Sequence, residues 1–405
     1  MAMRKTMLVP LVVTGLALAG CTTAVSDDPA PGGASTSRLG FQPVVQVDKD
    51  GREVAVDTSA VPADPAGDGT ASCPSTTTIA MVGPLTGSDA GAGTNIRNGA
   101  RLAVTQHNAA NPGCQVRLEP RDSQGDPDLA LEVVPPLIAD PNVVALLGPA
   151  YSGESKATGP MLHDAGLLAL TPAATNPDLT THGWDNYFRG LASDAVQGPA
   201  VAAYMRDTLG YTKVCVVAGD SDYGTDLAAQ VTAVLGAVAD PTCAAGVVEG
   251  DQDFSAAVAT VTAAQPDAVF YGGYVAEAAL LVKQLRAAGF TGAFVSGDGA
   301  ADVDFFRIGG DAANGAYVAC PCGPAPDAFA AAYTRQFGQA PGAFAVEGYD
   351  LTTIILKGID SGATDRASLV DFVRHYDGQG LARHYSWTST GELTEALVWI
   401  FQVGS

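Results

Sequence analysis

The 405-residue chain carries 43 Asp and Glu against 21 Lys and Arg, a formal net charge of −22. That balance excludes nucleic acid as a partner, because nucleic-acid binding requires a basic face. Hydrophobic residues make up 47 % of the chain, and the part beyond residue 72 is longer than one core usually serves, so two lobes are expected.

Arg4 and Lys5 precede an apolar run over residues 7–19, too short to span a bilayer comfortably and flanked as a secretory signal is. The run ends Leu18-Ala-Gly-Cys21, which resembles a bacterial lipobox; this implies cleavage before Cys21 and lipidation there. Acyl chains would then hold the protein on the outer face of the cytoplasmic membrane. Residues 1–20 are read as the signal peptide and 21–72 as a flexible tether, since Ala, Pro, Gly, Ser, Thr and Asp dominate that stretch. Within it, the alternation of Val45, Val47, Val54 and Val56 around Asp50-Gly51 allows a short hairpin.

Beyond the tether, apolar strand-like runs cover residues 77–82, 115–120, 143–147, 167–170, 213–218, 245–248, 268–271 and 293–296. Helical periodicity lies between them at 96–108, 226–238 and 276–288. Such alternation produces parallel sheets covered on both faces. Pro135-Pro136 predicts a kink or an early stop in the segment 128–140.

Two of these runs break into small hydroxyl residues: Leu147-Gly-Pro-Ala-Tyr151-Ser152-Gly and Leu168-Ala-Leu-Thr-Pro-Ala173-Ala-Thr175. Loops at the carboxyl ends of parallel strands gather free N–H groups and helix N-termini, which suit a carboxylate. Ser152, Thr175 and the N–H of Ala173 are candidates to hold one; Ser152 and Thr175 serve equally as helix N-caps. Further strand ends lead to Tyr223, Tyr274 and Asp298. A carboxylate with phenolic oxygens nearby accepts hydrogen bonds from an ammonium, so the two sets together suit a zwitterion.

The chain resembles the leucine/isoleucine/valine-binding proteins, a branch of the type I periplasmic binding proteins that serve ABC importers. The resemblance runs from about residue 77 to 403 and rests on Gly83-Pro-Leu-Thr-Gly87, the two hydroxyl loops, Asp222-Tyr-Gly224, Asp253-Phe-Ser255, Phe270-Tyr-Gly-Gly-Tyr274, Leu285-Arg-Ala-Ala-Gly289 and Gly342-Ala-Phe344. It implies an α/β fold of two doubly wound parallel-sheet lobes joined by a three-crossover hinge. Lobe 1 would be 73–193 plus 321–382, and lobe 2 194–320 plus 383–405, with crossings near 191–195, 319–323 and 382–385. It also implies a carboxylate-binding set (Ser152, Ala173, Thr175), an ammonium-side set (Tyr223, Tyr274, Asp298), and Phe344 as a pocket wall beside Tyr274. Partners would be an amino-acid ligand and a separate permease and ATPase, with the protein a monomer that closes on its ligand. Two departures stand out: Asp298 where the family often has Glu, and Ala92 where it often has an aromatic, a space that Tyr151 can refill.

Six cysteines remain besides Cys21, and spacing alone allows any of their pairings. The implied fold brings Cys73 to Cys114 and Cys215 to Cys243, leaving Cys320-Pro-Cys322 as a tight ring. No nucleophile elbow, P-loop or His-Glu-x-x-His motif is present, and the five histidines are scattered away from the ligand loops, so no catalysis, cofactor or metal is expected. The run Asp298-Gly-Ala-Ala-Asp302-Val-Asp304 misses the glycine and glutamate of a calcium loop. The expected cargo is an α-amino acid with an uncharged side chain, branched-chain or otherwise neutral. Glu347 either faces the pocket or caps the helix that follows. The rival reading is a sensor of amides or small carboxylates that signals to a partner.

Overall fold

The computed structural model describes residues 40–56 and 60–404; the expected signal segment and Cys21 lie outside the described residues. The first described element is a strand inside the segment expected to be a tether. β1 (Gly40–Val47) runs antiparallel to β14 (Val398–Gly404) at the edge of a sheet. Val47 is buried, and the Phe41 ring packs against Phe305, Phe306 and Phe401. Averaging over a long polar stretch conceals this strand, because only one of its faces is apolar. Pro43 sits at a bulge on the edge strand, where a missing N–H is tolerated. The second arm of the hairpin is reduced to a single bridge from Val47 to Glu53. Further on, Ala63 N–H donates to Gln379 O and Ala71 N–H to Asn111 Oδ1, so this part of the segment is also packed.

The first lobe alternates strand and helix up to β5: β2 (Thr78–Gly83), α1 (Ala90–Ala110), β3 (Arg117–Asp122), α2 (Pro127–Ala139), β4 (Val143–Leu147), α3 (Ser152–Asp164) and β5 (Leu168–Thr171). It then reaches β6 (Tyr187–Arg189) through a single 3-10 turn. The strands form a parallel sheet in the order β3-β2-β4-β5-β6. β2, β4 and β5 are buried at every position, as strands covered on both faces must be. The Pro135-Pro136 pair does not stop α2. Both prolines lie on its exposed side, opposite buried Ala130, Val134 and Leu137, so the carbonyls that lose their donors can be hydrated.

The second lobe contains α4 (Asp194–Ala203), β7 (Val214–Gly219), α5 (Asp222–Leu235), β8 (Ala245–Val247), α6 (Ser255–Ala264), β9 (Ala268–Gly272), α7 (Val275–Ala287), β10 (Ala293–Ser296), α8 (Val303–Gly309) and β11 (Tyr317–Cys320). Its sheet runs β1-β14-β11-β10-β9-β7-β8, parallel from β11 to β8 and antiparallel where β14 and β1 complete it. The chain then returns to lobe 1 as α9 (Asp327–Phe337), α10 (Ala345–Asp360) and α11 (Arg366–Arg374), with α10 packed along α1. A small hairpin, β12 (Asp377–Gln379) and β13 (His384–Ser386), follows.

The third crossing lies later than expected, after Leu393 instead of at 382–385. Trp387 packs against Phe188 and donates from Nε1 to Arg189 O at 2.7 Å, and buried Tyr385 donates to Asp350 Oδ2 at 3.1 Å. Gly391 O accepts Arg189 N–H at 2.9 Å. Gly391 has φ +84°, and a Cβ there would lie 2.1 Å from Tyr187 O, so glycine is required. Residues 383–393 therefore belong to lobe 1. All three cysteine pairs are bonded: Cys73–Cys114, Cys215–Cys243 and Cys320–Cys322, with Cα separations of 4.7, 5.3 and 5.0 Å.

Arg189, at the end of β6, is fully buried. It bonds Glu392 through Nη2 at 2.9 Å, donates to Asn176 O at 2.8 Å, and also reaches Ala174 O. One guanidinium thus ties the late crossing to the second hydroxyl loop. Arg189→Leu leaves a half-buried carboxylate and two carbonyls without their donor. Chemical denaturation of the variant is expected to show a loss of about 3 kcal/mol, against less than about 0.5 kcal/mol for a surface control such as Arg117→Leu.

Candidate functional site: a cleft between the lobes

The lobe 1 wall is built from the ends of β4 and β5. Thr171 donates to Pro149 O at 2.8 Å and accepts from Ala174 N–H at 3.0 Å, which folds the second loop under the first. Ser152 occupies the first turn of α3. Its Oγ accepts Asn176 N–H at 3.2 Å, leaving the hydroxyl proton free to donate into the cleft. Two residues on, Glu154 accepts Tyr151 N–H at 2.9 Å and the Ser123 hydroxyl. Burial pushes the Glu154 carboxyl up to about 7 against the pull of those bonds. A helix N-terminus, a hydroxyl and loop amides make this wall receptive to negative charge.

The lobe 2 wall is the reverse. Asp298, just beyond β10, is 3 % exposed, and its Oδ1 accepts from Tyr223 Oη and Gln197 Nε2, both at 2.7 Å. Tyr223 Oη in turn accepts Gly299 N–H at 2.9 Å, and Gln197 Nε2 also reaches Asp194 Oδ1 at 2.9 Å. Burial raises the Asp298 carboxyl, opposed by the Tyr223 and Gln197 bonds. Asp194 is raised well above the usual carboxylate range, first by burial and then by the charge of Asp298. Tyr274 lies between two other rings: Tyr151 of lobe 1 at 4.6 Å and 10°, and Tyr223 at 5.2 Å and 23°.

These walls enclose a cleft with ≈ 430 Å³ of empty space, counting its open mouth. Of the candidate residues, Ser152, Ala173, Tyr223, Tyr274, Asp298, Tyr151 and Phe344 all line it. Phe344 does so from a left-handed backbone, φ +65°, a conformation that costs a bulky residue about 1–3 kcal/mol and recurs at ligand sites. Thr175 is the exception: it is buried without lining the cleft, and its Oγ1 has no hydrogen-bond partner. Glu347 neither faces the pocket nor serves only as a cap. It is buried against Arg383 at 2.6 Å and accepts Gly323 N–H at 3.0 Å, which joins the second crossing to the β12–β13 hairpin. Asp89, Val275 and Asp302 also line the cleft, and Gln197 supports it from behind; none of these was singled out by sequence as a site residue. Asp302 lies in the run set aside as a defective calcium loop, and Gln197 is one helical turn from Asp194. Ala92 does line the cleft, where its small side chain leaves room.

Contacts across the mouth are modest. Lys156 of α3 pairs with Asp222 of α5 at 2.5 Å, and Asn176 Nδ2 donates to Asp222 O at 3.0 Å. Both members of the ion pair are more than a third exposed, so it contributes at most about 1 kcal/mol. Among the described residues, His107, Cys114 and Asp360 approach each other closely enough for a metal. The Cys114 sulfur is bonded to Cys73, however, and is not available as a thiolate ligand.

The sequence matches the periplasmic binding protein family over residues 76–405. The chain belongs to that family. Among family relatives, it is 32 % identical over 301 residues to the Leu/Ile/Val-binding protein BraC3 of Rhizobium johnstonii, covering 72 % of this chain and 82 % of that one. It is 29 % identical over 304 residues to a leucine-, isoleucine-, valine-, threonine- and alanine-binding protein of Pseudomonas aeruginosa, covering 73 % and 81 %. The fold superposes on the branched-chain amino acid transporter substrate-binding protein LivJ of Streptococcus pneumoniae, solved with isoleucine. That match has a TM-score of 0.74 and 27 % identity, covering 81 % of this chain and 99 % of that one. A leucine-binding protein of Thermotoga maritima gives a TM-score of 0.72 at 26 % identity, covering 81 % and 98 %. The two-lobed α/β architecture is that of these family members, whose names are those of amino-acid-binding proteins.

Glu154 carries a stability prediction. Its folded pKa lies above its unfolded value, so the native state binds the extra proton and loses stability as pH rises from about 4.5 to 7. Glu154→Gln removes that slope while an amide oxygen can still accept from Tyr151 N–H. The melting temperature of the variant relative to wild type is expected to rise between pH 5 and pH 8, a swing of up to about 3 kcal/mol.

Proposed function

We propose that this protein is the extracytoplasmic solute-binding component of an ABC importer, held at the outer face of the cytoplasmic membrane by a lipid on Cys21. In this reading it is a non-catalytic monomer that captures an α-amino acid by closing its lobes on the zwitterion. The observation that carries it is the opposition of Ser152, at the N-terminus of α3, to buried Asp298 with Tyr223, across one cleft. The ligand carboxylate bonds Ser152 Oγ and the Ala173 amide; its ammonium bonds Asp298 and the phenolic oxygens. Thr175 acts on this wall indirectly, through the loop whose carbonyl accepts Asp194 N–H at 2.8 Å.

The energetics favour ligand-driven closure. The exposed Lys156–Asp222 pair adds little, and a stacked ring pair such as Tyr151–Tyr274 contributes about 0.5–1.5 kcal/mol. Hydrogen bonds to charged groups contribute about 1.5–3 kcal/mol each. A handful made only in the closed state both shifts the lobe equilibrium and reaches affinities on the order of micromolar.

A thermal-shift screen over the twenty amino acids, amides and short carboxylates tests this reading. At least one α-amino acid is expected to raise the melting temperature by several degrees, and a response confined to amides or carboxylates rejects the zwitterion cleft. Asp298→Asn and Ser152→Ala are each expected to weaken that ligand by about tenfold or more, with little change in unliganded melting. Because burial raises the Asp298 carboxyl, and the ammonium requires it ionised, calorimetric affinity should fall from pH 7.5 to pH 5.

A further inference from the structure

The part of the cleft lined by Ala92 and Tyr151 carries charge that a neutral side chain does not match. Asp89 and Asp302 both line it, 8 % and 9 % exposed. Asp89 Oδ2 accepts the Ser88 hydroxyl at 2.7 Å, whereas its buried Oδ1 has no partner. Asp302 Oδ1 accepts Asp304 N–H at 2.9 Å, while Oδ2 lies so close to Gly91 that a Cβ there would be 1.9 Å away. None of the thirteen lining residues is basic, and the guanidinium of Arg307 is paired with Asp304. Burial raises the carboxyl pKa of both Asp89 and Asp302.

An α-amino acid with an uncharged side chain brings one ammonium, and Asp298 takes it. Asp89 and Asp302 would then stay buried in the closed cleft without a countercharge, which is strongly unfavourable. The stacked rings of Tyr151 and Tyr274 border the same space and present the kind of π surface that attracts organic cations. Ala92 leaves room for a long side chain to reach them. We infer that the ligand's side chain ends in a cation, an ammonium or guanidinium, held by Asp89 and Asp302 beside the Tyr151–Tyr274 pair. The inference rests on the amino-acid reading above and replaces the uncharged side chain expected from sequence.

Calorimetric titration of the full chain at pH 7.5 with L-lysine, L-arginine, L-leucine and cadaverine tests it. L-lysine or L-arginine is expected to bind at least tenfold more tightly than L-leucine. Cadaverine, which keeps both cations but lacks the α-carboxylate, should bind at least tenfold more weakly than L-lysine. Asp89→Asn and Asp302→Asn should each reduce the preference for the dibasic ligand tenfold or more, weakening L-lysine and strengthening L-leucine, because each removes a charge that only a cationic side chain offsets. Unliganded Asp89→Asn should melt no lower than wild type, since the amide oxygen can still accept the Ser88 hydroxyl while the buried charge is lost; if it fails to fold, Asp302→Asn decides the assignment. L-leucine binding more tightly than both dibasic ligands overturns this inference and leaves the amino-acid reading standing. A dibasic preference that survives both variants overturns the assignment to these aspartates. If none of the three amino acids binds, this inference falls and the screen over the twenty amino acids decides the amino-acid reading. If cadaverine equals L-lysine, the carboxylate wall is not used and the amino-acid reading falls with this inference.

Discussion

A buried carboxylate facing a helix N-terminus across an open space is the constraint on which the rest of this molecule depends. Asp298 is almost fully enclosed, yet two of its donors, Tyr223 and Gln197, converge on a single oxygen. Asp194 lies directly behind, adding to the local excess of negative charge. Such an arrangement is costly to hold without a countercharge, and the opposite wall supplies only partial positive charge from α3 and loop amides. A ligand bearing an ammonium toward one wall and a carboxylate toward the other satisfies both at once. The direct contacts between lobes include the exposed Lys156–Asp222 pair, the Asn176–Asp222 hydrogen bond and the Tyr151–Tyr274 stack. On the proposed reading, the ligand adds the contacts that favour the closed form.

The hinge is more elaborate than three bare connections. Glu347 and Arg383 tie the second crossing to the hairpin that precedes the third, and Arg189 ties the third to the second hydroxyl loop through Glu392. The same residues that carry the chain between lobes therefore also hold one wall of the cleft in register. β1 adds a further constraint, since it completes the lobe 2 sheet while the residues that follow it pack on lobe 1. β1 pairs the free backbone edge of β14 and becomes the sheet edge itself, interrupted at Pro43 by a bulge.

Strand and helix alternation was legible because parallel sheets buried on both faces demand uninterrupted apolar runs, and β2, β4, β7 and β9 supply them. The hydroxyl loops and Asp298 were legible because they sit at strand ends, where a parallel sheet presents its ligand groups. Pro135-Pro136 misled because helix-breaking depends on which face the prolines occupy, and that is decided by packing. β1 was legible only as one arm of a short hairpin, because its main partner, β14, lies at the far end of the chain.

What the sequence determined by itself was the alternation of strands and helices and the hydroxyl and acidic residues at strand ends. Of the eight candidate residues, Tyr151 and Phe344 among them through the family resemblance, seven are among the thirteen that line the cleft. What only the tertiary structure decided was which side chains from different elements meet. Thr175 is displaced from the cleft, Glu347 turns to Arg383, and Asp89 and Asp302 come together from separate lobes beside Tyr151. Those outcomes depend on long-range packing and on where burial leaves a charge without a partner, and neither is encoded in the spacing of neighbouring residues.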